Sequence, residues 1–427
     1  MIQDQYDIAI VGAGAAGLMA AIWAGRTARK AGSSARVVVL DGSEKPGAKI
    51  LVAGGGRCNV THFEVDESQY AGSSRNAIKK VLRRFDVTET VEFFRELGVE
   101  FKREDTGKLF PTTDDAHTVL NALFDAARDA GVEARFGYRV ESISRTDSGF
   151  LITPSPPHPS IPSLNAARVI LATGGLSLPK TGSDGHGYSI AKSLGHSMTQ
   201  TFPALVPLTI PRNHFICGLS GVTVEATVEL RSPTGKRLQS FTNSTLCTHF
   251  GLSGPSVLDI SRYYMAEAAA ANSPQLFLNW LPNFKTEELD AAFLQLGKVS
   301  ASRYLRDRGL PDRLADALCY EARVDPAAPA HSLTRDARRA LARQVTETPL
   351  PINGTRGYLF AEVTAGGVPL SEMHLDTMES RVCPGLHLCG EICDVDGRIG
   401  GFNFQWAWAS GFVAGTSAAK AETDDVR

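Results

Sequence analysis

Residues 6–25, YDIAIVGAGAAGLMAAIWAG, decide the fold. Ile8 to Val11 is a short β-branched run suited to a strand buried on both faces. Gly12, Gly14 and Gly17 follow at G-x-G-x-x-G spacing, and an Ala-rich helical stretch runs on to about Gly32. The next buried run, ARVVVLD (35–41), ends in Asp41, 24 residues past the third glycine. Strand, glycine turn, helix, strand and acid form a βαβ unit in the order that binds a dinucleotide. Gly12 makes the turn, Gly14 admits a pyrophosphate and Gly17 lets helix and strand pack closely. The phosphate sits on the helix N-terminus, and Asp41 is expected to bond the adenosine ribose. The apolar run reaches roughly the length of a membrane span, but its glycines and turn motif argue against one.

Further glycine clusters recur along the chain. LVAGGGRCNVT (51–61) places three glycines, a cation, a thiol and an amide together. Only a close approach or an unusual backbone calls for three residues that are costly to order. ARVILATGG (167–175) is a strand that turns sharply at its carboxyl end, where ligands of open α/β sheets sit. PGLHLCGEICDVDGRIGGFNFQWAWASG (384–411) is a strand, a glycine-rich loop and a helix. Between these blocks, residues 196–284 read as short strands and 285–356 as charged, Ala-rich helices. PSPPHPSIPS (154–163) reads as a proline-rich hairpin tip or connection. The expected fold class is therefore α/β: a discontinuous Rossmann-like dinucleotide-binding domain (1–195 and 357–427), interrupted by a β-rich domain (196–284) and a helical subdomain (285–356).

The 427 residues are 43% hydrophobic and 21% charged, which excludes a disordered chain. A net charge of −2 offers no general attraction to nucleic acid or anionic membrane. The seven cysteines, at 58, 217, 247, 319, 383, 389 and 393, contain no C-x-x-C pair. Neither a disulfide framework nor a metal site is expected. The N-terminus lacks a basic leader, and the expected location is cytoplasmic.

The motifs together resemble the HI0933/YhiN-like family of FAD-dependent oxidoreductases, flavoproteins with two dinucleotide-binding domains. The matching stretches run in order: IVGAGAAGLMAA, GAKILVAGGGRCNVT, TGKLFPTTDDAHTVLNAL, the ATGG and TGSDG segment, PALVPL, THFGLSGPSVLDIS, VTAGGV, and the block from 384. They cover almost the whole chain. Phe402 stands where relatives often have tyrosine. The resemblance implies non-covalent FAD (GR2-type), with NAD(P)H as co-substrate and an insert over the flavin. Members are linked to reduction of unsaturated steroid acids, and the label aminoacetone oxidase is also attached to the family. No motif here selects either substrate.

Carried onto this chain, the implied FAD site comprises Gly12, Gly14, Ala15, Ala16, Gly17, Asp41, Gly42, Lys49, Gly54, Gly55, Arg57, Cys58, Asn59, Thr61 and Val140. It continues with Ala172, Thr173, Gly174, Gly175, Asp184, Gly390, Glu391, Asp394, Gly401, Asn403 and Gln405. Arg57 is expected at a phosphate or at the flavin N1/C2=O edge. Cys58 reads as a reactive thiol or as packing, and the absence of a partner cysteine favours packing. Trp406 and Trp408 read as core. His249 and Arg57 are the catalytic candidates, His249 as proton donor or substrate ligand, against a structural role. Three functions compete: a flavin oxidoreductase acting on a small apolar or carbonyl-bearing substrate, a flavin-linked RNA-modifying enzyme, and a non-catalytic FAD carrier. The charge balance favours the first, with a small-molecule partner, no nucleic acid and no membrane; oligomeric state is open.

Overall fold

The computed structural model describes residues 4–155 and 162–420. Most of the proline-rich tip at 154–163 lies outside the described residues. The chain divides into two compact units, one made of residues 1–202 with 363–427 and the other of 203–362.

The first unit is built on five parallel strands in the order Leu386–Leu388, Leu164–Leu171, Gln5–Val11, Val37–Asp41, Glu133–Phe136. The apolar runs of the first four are buried on both faces, as the absence of alternation requires, while the edge strand Glu133–Phe136 is largely exposed. Register fixes what comes next. Val11 is level with Leu171 and with Leu40, and Leu171 with Leu388. Gly12, Ala172 and Cys389 therefore leave the sheet side by side at its carboxyl edge. An antiparallel hairpin, Val140–Thr146 with Gly149–Pro154, extends the sheet from Leu164–Leu171.

The helix Ala15–Lys30 follows the glycine turn, and the chain closes it with Gly32 at φ +68° and Ser33 N–H on the Ala28 carbonyl at 3.0 Å. It packs lengthwise on the last helix, Phe402–Lys420. Two glycines make that approach: a Cβ on Gly411 would stand 2.5 Å from the Ala16 carbonyl oxygen, and one on Gly415 2.1 Å from that of Ala20. The helix Ala116–Asp129 is capped by Asp115, whose carboxylate accepts from the His117 N–H at 2.9 Å.

The second unit is a seven-stranded antiparallel sheet with its long hairpin at Thr223–Arg231 and Arg237–Thr248. The helical stretch expected over 285–356 has no core of its own. Leu289, Phe293, Leu314, Leu318 and Leu341 bury into the same cluster as Val228, Leu278 and Trp280. Amphipathic helices this short bury their stripe against the nearest apolar face, here the sheet. Among the described residues no helix is long and apolar enough to cross a membrane.

Candidate flavin site

The glycine turn comes first. Gly12 adopts φ +105°, and a Cβ there would lie 2.4 Å from the Ala172 carbonyl oxygen. The two strand ends thus lock together only around glycine. Gly14 precedes the helix Ala15–Lys30 with no side-chain cap, no acid occupies the first turn, and nothing lies within 4 Å of a Cβ built on it. The result is a positive helix end facing open space, the arrangement that receives phosphate. Asp41 stands beside it, its Oδ2 accepting the Ala13 N–H at 2.7 Å and its Oδ1 the Ser43 N–H at 2.8 Å. Gly42 packs on Arg139, which reaches Asp184 at 2.7 Å; Val140, next in the chain, is buried.

The triple glycine serves the backbone. Gly54, Gly55 and Gly56 run at φ +59°, +71° and +87°, and even Cys58 sits at +60°. Nothing lies within 4 Å of a Cβ on Gly55, so the loop leaves room on that side. Arg57 stacks 4.0 Å over the Phe110 ring, bonds Glu104 at 2.7 Å and has Asp114 at 3.7 Å. Its charge meets carboxylates, not the open space expected for a phosphate. Cys58 is fully buried, and burial pushes its thiol up to about 12. A thiol held neutral is no nucleophile.

Several expected ligands turn out to be braces. Gln405 is buried, accepts from Thr61 Oγ1 at 2.7 Å and Thr90 Oγ1 at 3.1 Å, and donates to the Phe85 carbonyl at 2.9 Å. Asn403 pairs with both backbone groups of Gly397, at 2.8 and 2.9 Å. Gly401 carries the next constraint, because a Cβ there would lie 2.6 Å from the Thr61 carbonyl carbon. Trp406 and Trp408 are buried and donate to the Gly390 and Val60 carbonyls at 3.0 and 2.9 Å. Both indoles are core.

A second cluster forms around Glu391. Lys49 Nζ lies 2.5 Å from its Oε2, the Thr364 N–H donates to its Oε1 at 2.9 Å, and Gly175 backs onto both residues. Thr364 Oγ1 also accepts from the Leu176 N–H at 2.7 Å, holding the turn after Gly174 and Gly175. Thr364 and the acids facing Arg57 were missed in the sequence. For Thr364 the signal was the VTAGGV stretch and for Asp114 the TGKLFPTTDDAHTVLNAL stretch; for Glu104 there was none. Asp394 is buried, and its carbonyl accepts the Ser73 N–H at 2.8 Å. His249 belongs to the other unit, where it is exposed beside Phe250.

Two buried atoms test the fit of a flavin dinucleotide. Asn59 Oδ1 and Thr173 Oγ1 are buried without a hydrogen-bond partner among the described residues. An orphaned buried polar atom costs about 1–3 kcal/mol, which a bound group rich in N–H and O–H donors relieves. With the open positive helix end and Asp41 alongside, the residues fit FAD.

Aligned strand ends with a site that would hold a flavin dinucleotide fit one class, a flavin-dependent oxidoreductase with a Rossmann-type FAD domain. Comparison with known proteins narrows it. The profile of the HI0933-like protein Rossmann domain matches residues 6–417, and the chain belongs to that family. It is 35% identical over 417 residues to a 3-dehydro-bile acid delta(4,6)-reductase of Clostridium scindens, covering 97% of this chain and 99% of that one. It is 33% identical over 417 residues to a ribosomal RNA dihydrouridine synthase of Escherichia coli, covering 96% and 97%. The 3-ketosteroid delta1-dehydrogenase of Sterolibacterium denitrificans shares the fold, with a TM-score of 0.51 at 13% identity over 98% and 100% of the two chains.

The match to an RNA-modifying enzyme overturns the expectation that no nucleic acid is involved. That expectation rested on net charge, a sum over 427 residues that conceals any local cluster of one sign.

Proposed function

We propose that the protein reduces a carbon–carbon double bond conjugated to a carbonyl group, that NADH or NADPH supplies the electrons, and that the acceptor is a uracil base of ribosomal RNA. One observation carries this reading. Two relatives of nearly equal identity over the whole chain, at 35% and 33%, are named for saturating double bonds in unrelated molecules. What a 3-oxo steroid with ring double bonds and a uracil share is an alkene carbon conjugated to a carbonyl. Hydride adds at the far end of the conjugated system, a proton adds beside the carbonyl, and the carbonyl oxygen carries the charge between the two events. FAD, held there, would supply the two-electron hydride chemistry that links a nicotinamide donor to this acceptor.

The chain's own residues set the stage. The first turn of Ala15–Lys30 and Asp41 would hold the adenosine end, and Asn59, Thr173 and the Lys49–Glu391 pair the ribityl and ring end. Cys58, buried and held neutral, is not a thiolate nucleophile in this reading. His249 and Arg57 are the residues carried forward for delivering the proton and holding the carbonyl. An RNA acceptor and a reduced nicotinamide support a cytoplasmic reaction.

The test is direct. Protein, FAD, a reduced nicotinamide and unmodified ribosomal RNA transcribed in vitro are incubated, and the RNA is digested to nucleosides. Mass spectrometry should show uridine gaining two hydrogens. If nicotinamide-reduced flavin is instead reoxidised by a 3-oxo-4-ene steroid acid and not by RNA, the uracil assignment fails.

A further inference from the structure

The helix Arg75–Leu82 is tied at both ends to the candidate flavin site. Before it, the Ser73 N–H donates to the Asp394 carbonyl at 2.8 Å, and Ser73 Oγ accepts the Leu370 N–H at 3.0 Å. After it, the Phe85 carbonyl accepts from Gln405 Nε2 at 2.9 Å, and Gln405 in turn holds Thr61. Ile78, Val81 and Leu82 bury one side. The other side is cationic. Arg75, Lys79, Lys80, Arg83 and Arg84 are five cations in ten residues, 75–84, with no acid among them.

Little neutralises this face. Lys79 pairs with Glu67 at 2.6 Å. Arg75, Lys80, Arg83 and Arg84 are exposed, and none has an ion pair among the described residues. By contrast Arg57 and Lys102, in the neighbouring segments, are paired to carboxylates. At helical spacing the five fall within about half the circumference, the face opposite the buried one. Four unpaired cations on this helix and the turn that ends it suit a polyanion whose charges repeat along a backbone, as phosphates do.

We propose that this face docks the phosphate backbone of the substrate RNA, beside the site where a base is reduced. The proposal rests on the RNA reading above. Backbone contacts of this kind hold register and carry no sequence information. They leave base selection to the groups at the flavin.

The test uses the full-length FAD-loaded protein. A fourfold variant, Arg75→Gln, Lys80→Gln, Arg83→Gln and Arg84→Gln, is compared with a control carrying Lys236→Gln and Arg237→Gln. Binding of unmodified ribosomal RNA is measured across a salt series. The fourfold variant should bind on the order of 10²-fold more weakly at about 0.1 M salt, and its log–log salt slope should shrink by roughly three. KM for RNA should rise with kcat retained, while FAD content and flavin reduction by nicotinamide stay unchanged. Equal RNA affinity and salt slope in wild type and variant overturn the proposal. So does an effect confined to anionic phosphatidylglycerol vesicles or to acidic protein. If these cations bind RNA but wild type forms no dihydrouridine, the docking face stands and the uracil reading fails. If wild type reduces uracil and the variant does so with unchanged KM, the reading stands and the docking face falls.

Discussion

Asp41 Oδ2 accepts the Ala13 backbone N–H at 2.7 Å, joining the end of the second parallel strand to the glycine turn after the first. With Ser43 on its other oxygen, the carboxylate keeps lone pairs for ribose hydroxyls. Asp41→Ala should cost about 1–3 kcal/mol of folding stability and lower FAD affinity at least about tenfold. Asp41→Asn, which still accepts from Ala13, should fall between. Denaturant midpoints and FAD titration read the two effects separately. An affinity within twofold of wild type in Asp41→Ala would remove Asp41 from the ribose.

The pairing of Ala15–Lys30 with Phe402–Lys420 has no slack at Gly415, where a methyl would meet the Ala20 carbonyl. Gly415→Ala should destabilise by about 1–3 kcal/mol through overpacking. A thermal midpoint equal to wild type would show that the helices separate freely to admit it.

His387 gives a pH dependence. It is buried, its Nδ1–H donates to the Thr377 carbonyl at 3.0 Å, and burial outweighs Glu379 to push its pKa below the usual imidazole value. His214 shifts the same way, again by burial. The unfolded chain therefore takes up these protons first as pH falls. The stability is full above about pH 6.5 and is lost below it, toward the depressed folded values. The urea midpoint should fall between about pH 7.5 and about pH 5.5. His387→Gln should show a smaller fall; an identical pH profile would exclude His387 as a contributor.

One G-x-G-x-x-G after a strand leaves NAD(P)H without a dinucleotide domain of its own. If NAD(P)H is the donor, as proposed above, nicotinamide has to leave before the acceptor enters. Initial rates at several acceptor concentrations should give parallel double-reciprocal lines. Intersecting lines would reveal a second site.

For His249, a role in proton delivery predicts that His249→Asn lowers kcat on the order of 10²-fold or more, while anaerobic flavin reduction by nicotinamide keeps its wild-type rate. Unchanged turnover would return His249 to the surface.

The parts of the site legible in the sequence were those written in local spacing. Strand, glycine turn, helix and Asp41 lie within 37 residues, 5–41, and each piece has its own signature. Functions set by distant partners were not legible. Arg57 meets Glu104, 47 positions away, and Gln405 meets Thr61, 344 positions away. A polar residue in a glycine-rich motif looks the same in sequence whether it faces a ligand or braces the loop. Only the fold separates Asn59, whose Oδ1 is unpartnered, from Asn403, which is spent on Gly397. The basic face was hidden differently: its five charges vanish into a near-neutral total.

The close seat of the last helix on the first also orders events during synthesis. Residues 203–362 are contiguous and hold every strand of their own sheet, so that unit can finish its core as soon as it clears the ribosome. The helix Ala15–Lys30 must wait for Leu386–Leu388 and Phe402–Lys420, nearly the whole chain later. At about 5–20 residues per second that delay is roughly 20–80 s. Throughout it, the face carrying Ala16, Met19, Ala20 and Trp23 lacks Gly411, Phe412 and Gly415, its native partners from the last helix. The nascent protein is therefore open to chaperones and to misassociation through Ala15–Lys30, and a stop codon before Phe402 would leave that hazard permanent.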